Sequence, residues 1–302
     1  MYRNSVSVVI PTKDRLRFLK LAIPMYLSHP EVKEVIVIVD GSMDGTREYL
    51  DELVREDSRV RYFDNGLNRG IPYSRNLGID HASGKYVFST EDDLEIDSGF
   101  FRILLDHKIE NKYDVISARN IFRYEYETRE ESIQRNNNIK GSPINLRTIE
   151  INTGVEIKND ESQIMIASPM LGETGLFKAI RFDESLKVNF WREETDFQFS
   201  AQEMGYIIGS CPHAVSYNFV IKNDRSGAHA AVGFRRTKWV IKNNWFFVNK
   251  HEKFIKEHCK IGNKYFYIVS FTVRRTVIDI LIPLLNRVKV FYRNNGSDDF
   301  LR

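Results

Sequence analysis

Two groups of acids stand out by type and spacing. The first, Glu91-Asp92-Asp93, follows directly on Lys85-Tyr86-Val87-Phe88-Ser89-Thr90, a short β-branched and aromatic run that reads as a buried strand. Like charges crowded at a strand end raise one another's pKa and cost stability, so they call for a counter-charge. A divalent cation is the economical solution, and hard carboxylate oxygens suit magnesium or manganese. The alternative is a solvated acidic turn. The second group is Glu193, Glu194 and Asp196 in F-W-R-E-E-T-D-F-Q-F-S-A-Q-E-M-G (190–205). Phe197, Ala201 and Met204 give this stretch helical spacing from Thr195 to Met204, with Gly205 as a C-terminal stop. The acids then occupy a helix N-terminal turn, where the dipole favours carboxylates whatever else they do. Trp191 beside them could stack on a bound ligand or serve as a core aromatic.

The elements that position these groups are readable in the first 95 residues. Ser5–Ile10 and Val35–Val39 are apolar on both faces, as strands of a parallel sheet covered by helices must be. Arg59–Asp64 is a third strand and the run before Glu91 a fourth. Helical spacing spans Arg15–Leu27, with Pro24 expected to kink or shorten it, then Thr46–Arg55 and Ile71–Ala82. Four strand–helix alternations predict a doubly wound, mostly parallel α/β sheet. Ligands bind such sheets beyond the carboxyl ends of the strands. Pro11–Arg15, Asp40–Ser42, Asp64–Arg69 and Glu91–Asp93 all lie at such ends, so topology predicts that they converge on one cleft. The polar stretch Asn120–Ile166 reads as hairpins and loops over that cleft. Gly172–Phe182 returns to regular structure, and Tyr206–Ile208 and Ala214–Val220 read as the last strands.

Composition narrows the function classes. The chain has 302 residues, 42% hydrophobic and 28% charged, and only two cysteines, Cys211 and Cys259, as in a soluble protein of a reducing, cytoplasmic compartment. No apolar run approaches the roughly 20 residues that span a bilayer, and the N-terminus runs straight into a strand, without a signal-peptide pattern. Neither G-x-G-x-x-G nor G-x-x-x-x-G-K-[ST] occurs, which weighs against a dinucleotide oxidoreductase or a P-loop enzyme. The net charge of +3 conceals an asymmetry: residues 235–302 carry 15 Lys and Arg against 5 Asp and Glu, while residues 1–234 carry 29 against 36. The acidic body does not point to nucleic acid. The basic, apolar-helical tail has three readings: a buttress, a homodimer contact, or a peripheral seat on the inner face of the membrane, where each basic residue near anionic lipid contributes roughly 1 kcal/mol. The expected boundary lies between residues 233 and 234.

Five segments in order resemble the family 2 glycosyltransferases of GT-A fold: S-V-V-I-P-T-K-D-R (7–15), V-I-V-I-V-D-G-S-M-D-G-T (35–46), N-R-G-I-P-Y-S-R-N-L-G-I-D-H-A-S-G-K-Y-V (68–87), E-D-D-L-E-I (91–96) and R-E-E-T-D-F with M-G-Y (192–206). The resemblance implies an inverting transferase that uses a nucleotide-diphosphate sugar such as a UDP-sugar, Mg²⁺ or Mn²⁺, and a glycan or lipid-linked acceptor. It implies that Pro11, Thr12 and Asp40 line the nucleotide site and that Arg15 and Arg75 sit near the donor. Asp93, with Glu91, would hold the metal, Asp92 would lie near the ribose or sugar, and Glu194 would be the catalytic base. Two positions depart from the family pattern. Glu91 replaces the first Asp of D-x-D, and Asn218 stands where a histidine is common, leaving Asn218, His213 or His229 as the third ligand. Non-catalytic binding of a nucleotide sugar and sugar nucleotidyl transfer are the rival functions.

Overall fold

The computed structural model describes residues 2–158, 163–186, 191–221 and 234–285. β1 (Val6–Thr12), β2 (Val32–Val39), β3 (Val60–Asp64) and β4 (Tyr86–Ser89) alternate with α1 (Leu16–Leu27), α2 (Thr46–Glu56) and α3 (Ile71–His81). There follow β5 (Leu94–Ile96), α4 (Phe100–Glu110), β6 (Val115–Tyr124), α5 (Arg129–Asn137), a hairpin of β7 (Ile144–Asn145) with β8 (Glu150–Ile151), β9 (Met170–Glu173), α6 (Thr174–Ile180), α7 (Glu193–Glu203) and β10 (Ile208–Val220). The described residues close with α8 (Phe234–Lys250), α9 (Glu252–His258) and α10 (Lys264–Thr276), whose helical path continues through Leu285.

The main sheet runs β3-β2-β1-β4-β9-β6-β10-β5. β1 to β4 are mutually parallel, and β6 is parallel to β10. β9 is antiparallel to both β4 and β6, so β4 and β6 point the same way and their carboxyl ends share one rim. Valines and isoleucines of β1 and β2 are buried on both faces, against α1 and α4 on one side and α3, α6 and α7 on the other. α3 lies close on β1 because Gly78 has no side chain: a Cβ there would stand 2.4 Å from Val9 Cγ1. That close approach seats Arg75, one turn earlier, against the sheet.

Three expectations are corrected. Pro24 does not shorten α1, which runs on to Leu27; a proline in the last turns removes one backbone bond and leaves the earlier ones intact. The two expected final strands are one, β10, with a register shift between Cys211 and Val215 that absorbs Pro212. The stretch after Asn120 is not all loop: β6 extends to Tyr124, and α5 starts at a capping box in which Thr128 and Glu131 exchange side-chain and backbone hydrogen bonds.

α8 to α10 do not stand apart from the body. Phe247, Phe254, Tyr267 and Phe271 share one apolar cluster with Phe199 of α7, Ile149 and Met165.

Candidate active site

The four polar strand ends meet. After β1, Thr12 Oγ1 donates to Asp92 Oδ2 at 2.7 Å, and the Arg15 guanidinium lies 2.8 Å from Asp92 Oδ1 and 2.5 Å from Asp93 Oδ2. The Arg15 guanidinium also sits 4.1 Å over the Phe18 ring. Pro11 is half-buried in β1 opposite Ile38, and the next carbonyl, that of Thr12, accepts from Asp40 N–H at 2.8 Å. Asp40 holds the 65–70 loop: Oδ1 accepts from Asn65 Nδ2 and Arg69 N, each at 2.8 Å, and Oδ2 from Gly70 N at 3.0 Å. A carboxylate accepts about four hydrogen bonds, which leaves room for a ligand donor. The turn after Asp40 needs Gly41, whose φ is +77° and whose Cβ would meet Asn68 N at 2.9 Å.

Arg75 joins the two acid groups. Its guanidinium, 1% exposed, donates to Ser89 Oγ at 2.8 Å and to Glu194 Oε1 at 2.7 Å, and stands 3.8 Å from Glu91 Oε1. The Phe182 ring lies 5.2 Å from it. The counter-charge that the sequence reading assigned to a cation is thus supplied in part by Arg15 and Arg75. Both arginines face the acids, a pairing their sequence separations of 78 and 119 positions conceal.

The acids remain electrostatically strained. Glu91 is pushed up to about 8, first by desolvation, then by the like charges of Glu194 and Asp93, with Arg75 opposing. Its side chain keeps 38% exposure, so water screens part of that repulsion. Burial also raises Asp92, against the pull of Arg15. Glu193, at the first position of α7 and almost fully buried, is raised well above the carboxylate range by burial and then by Glu194, and its Oε2 has no hydrogen-bond partner among the described residues. The sequence distinguishes Glu193 only as one of three acids in the first turn of a helix; its burial comes from the fold.

The approach to Glu194 is anchored from the C-terminal helices. Arg192 adopts a left-handed φ of +80°, uncommon for a residue with a side chain. Its buried guanidinium donates to Asn244 Oδ1 of α8 at 2.8 and 3.0 Å, to Tyr267 Oη of α10 at 3.0 Å, and to the carbonyls of Thr148 and Ile149. Phe247 and Phe271 flank it at 4.9 and 5.8 Å. Trp191 packs on Phe271, as a core aromatic would. Farther along α7, Asp196 accepts from Lys250 and pairs with the buried His251, which also meets Glu203. Nothing in the sequence pattern pairs Arg192 with Asn244 and Tyr267, because their contacts are set by how the helices dock.

A hard divalent ion fits the donors of this cleft. Such ions take one or two carboxylates and complete their shell with water and substrate phosphates. Asp93, with Glu91 beside it, offers those oxygens in a cluster whose crowding an added positive charge would relieve. Among the described residues no three His, Cys, Asp or Glu side chains are grouped to cage a metal, so phosphates would have to share its shell. Asn218 pairs with Leu94, one residue beyond Asp93, and its buried Oδ1 has no hydrogen-bond partner among the described residues. His213 is not placed to serve: it lies five residues back along β10, roughly 15 Å at the rise of an extended strand, with its ring 5.9 Å from His107 of α4. His229 lies outside the described residues.

A sequence profile described as "Glycosyl transferase family 2" matches residues 7–182, more than half of the chain. The chain belongs to that family. Among curated relatives of this family 2 glycosyltransferase, a GalNAc(5)-diNAcBac-PP-undecaprenol beta-1,3-glucosyltransferase of Campylobacter jejuni is 34% identical over 103 residues, 33% of each chain. A cholesterol galactosyltransferase of Borreliella burgdorferi is 29% identical over 87 residues, 29% of this chain and 24% of that one. The match therefore spans a third or less of these relatives' length. Among solved structures, GalNAc-T7 with UDP, GalNAc and Mn²⁺ superposes with a TM-score of 0.62 at 13% identity, over 83% of this chain and 49% of the other. Staphylococcus aureus TarS 1–349 in complex with UDP-GlcNAc superposes with a TM-score of 0.58 at 15% identity, over 90% and 72%. These likenesses establish the expected GT-A fold, a mixed and mostly parallel α/β sheet flanked by helices.

Proposed function

We propose that the protein transfers a sugar from a nucleotide-diphosphate sugar to a hydroxyl group, with inversion, using the cleft between Asp93 and Glu194. The observation that supports this reading is the shared contact of Arg75 with Glu194 and Glu91, which brings one acid of each group to the same guanidinium. The bound UDP and UDP-GlcNAc of the structural neighbours favour a UDP-sugar donor.

Transfer with inversion is an in-line displacement at the anomeric carbon. It needs a base for the acceptor proton and stabilisation of the leaving diphosphate. Glu194 accepts the acceptor's hydroxyl proton, a contribution typically worth about 10²–10⁴-fold. Arg75 fixes that carboxylate's direction by holding Oε1, leaving Oε2 for the acceptor. Asp40 and Thr12 border the nucleotide pocket together with Pro11, and Asp92, fixed by Thr12 and Arg15, faces the ribose or sugar. Asp93, with Glu91, would hold Mg²⁺ or Mn²⁺, which when bound supplies Lewis-acid neutralisation of the diphosphate. Arg15, beside Asp92 and Asp93, would meet a phosphate of the donor.

On this reading residues 1–233 form the catalytic domain and 234–302 a basic helical region, and the protein works in the cytoplasm at the inner membrane face. The acceptor is a glycan or lipid-linked sugar, in keeping with the lipid acceptors in the names of both relatives quoted above. A non-catalytic binding subunit would not need Glu194, and a sugar nucleotidyltransferase would need a glycine-rich loop where P-T-K-D-R stands. The test is proton NMR of the product formed from an α-linked UDP-sugar: a β-anomer supports the reading, and a retained α-anomer or a Glu194→Gln variant with full turnover contradicts it.

A further inference from the structure

α10 has two unlike faces. Inward, Tyr267 and Phe271 are buried in the cluster with Phe247 and Phe199, and Arg274 pairs with Glu150 at 2.6 Å. Outward, Phe266, Val269, Val273, Val277, Leu281 and Leu284 recur at helical spacing along some 19 residues, and all are exposed, Phe266 at 77% and Val269 at 61%. Large apolar side chains in one continuous stripe mark a surface that water is not meant to cover. No helix of the described residues is long and apolar enough to cross a membrane, so the stripe is a face and not a span.

We propose that this face of α10 and its continuation to Leu285 lies in the headgroup layer of an anionic membrane. Charge argues for this occupant over a second copy of the chain. Arg287, Lys289 and Arg293 follow the stripe in sequence, and residues 235–302 carry a net +10, which would repel an identical tail and attract acidic lipid. The geometry adds a functional consequence, which rests on the glycosyltransferase reading. Tyr267, on the opposite face of the same helix, bonds Arg192, two residues before Glu194. One helix thickness, about 10–12 Å, then separates the lipid from the loop presenting the base, a placement suited to an acceptor hydroxyl anchored in the bilayer.

The test uses the full-length protein with vesicles of phosphatidylcholine, with and without phosphatidylglycerol. Co-sedimentation is expected with the anionic vesicles, weakened by salt and reduced by about tenfold or more in a Val269→Glu, Val273→Glu double variant, while UDP release from the donor is unchanged. A bimane label on Val269→Cys, selective because Cys211 and Cys259 are buried, should shift to the blue on the same vesicles. That label needs no disruptive charge, so it stands even if the double variant fails to fold. Binding that ignores the double substitution, no binding to either vesicle, or a lipid-free dimer broken by the same substitutions overturns the proposal. If vesicles bind but no donor turns over, it is the transferase reading that fails, not the membrane face.

Discussion

Arg75 Nη2 lies 2.7 Å from Glu194 Oε1 and 3.8 Å from Glu91 Oε1, so one buried guanidinium faces an acid from each end of the active cleft. The acids come from the end of β4 and the first turn of α7, and only the fold brings them together. Removing a partner from a buried pair typically costs about 3–5 kcal/mol, because the remaining charges lose their compensation. Arg75→Met should therefore lower stability by that order in urea unfolding and abolish transfer. Arg75→Lys should recover more stability than activity, since an ammonium cannot reach Ser89, Glu194 and Glu91 together.

On the proposed mechanism Arg192 acts through position, by fixing the backbone that presents Glu194. Tyr267→Phe deletes one hydrogen bond to Arg192 and one to the Thr148 carbonyl, at a cost of about 1–3 kcal/mol where a buried group is left unpaired. The left-handed Arg192 backbone should then relax and Glu194 lose alignment. Steady-state kinetics should show a lower kcat with donor affinity unchanged, and Arg192→Lys should fall further in kcat than Tyr267→Phe. Equal loss of donor affinity in both would mean a general loosening of the fold.

Glu193 gives a pH dependence of definite sign. Its folded pKa lies well above the ordinary 4.5, so between these values the folded state binds the extra proton. Stability is then greatest near pH 4.5 or below, as far as this group is concerned, and falls as pH rises towards the folded pKa. Glu193→Gln keeps the shape without the charge. In the ligand-free protein it should flatten the decline in Tm between pH 5 and 8 and raise Tm at pH 8. A Tm profile identical to that of the parent protein would mean that Glu193 finds a counter-charge.

The parallel half of the fold was legible because each strand there is an unbroken apolar run closed by a polar turn, as in V-I-V-I-V-D-G-S. The same regularity located Asp40, Glu91–Asp93 and Glu194, since strand ends and helix starts announce themselves locally. α5 was legible in principle, for T-R-E-E is a capping box, but its helix is polar and its apolar periodicity weak. The insertion of β9 between β4 and β6 was not legible: antiparallel pairing across some 80 positions leaves no local mark. Nor were the pairings of Arg15 with Asp92 and Asp93 and of Arg75 with Glu194, which join positions far apart in the chain.

On the proposed mechanism Arg15 and a metal would compete for Asp93. Arg15→Gln should strengthen Mn²⁺ binding to the donor-free protein, because the ion no longer displaces a guanidinium 2.5 Å from Asp93 Oδ2, and should weaken binding of UDP. Manganese titration followed by electron paramagnetic resonance checks the first effect. Weaker manganese binding in the variant would place the ion elsewhere.

The most direct measurement compares Asp93→Ala with Glu194→Gln in calorimetric titrations of UDP, with and without Mn²⁺, alongside transfer assays. Asp93→Ala should erase the metal-dependent gain in UDP affinity, whereas Glu194→Gln should keep it and lose turnover. UDP binding indifferent to manganese in the parent protein, or undiminished turnover in Glu194→Gln, would contradict a cleft in which one acid group grips the donor and the other deprotonates the acceptor.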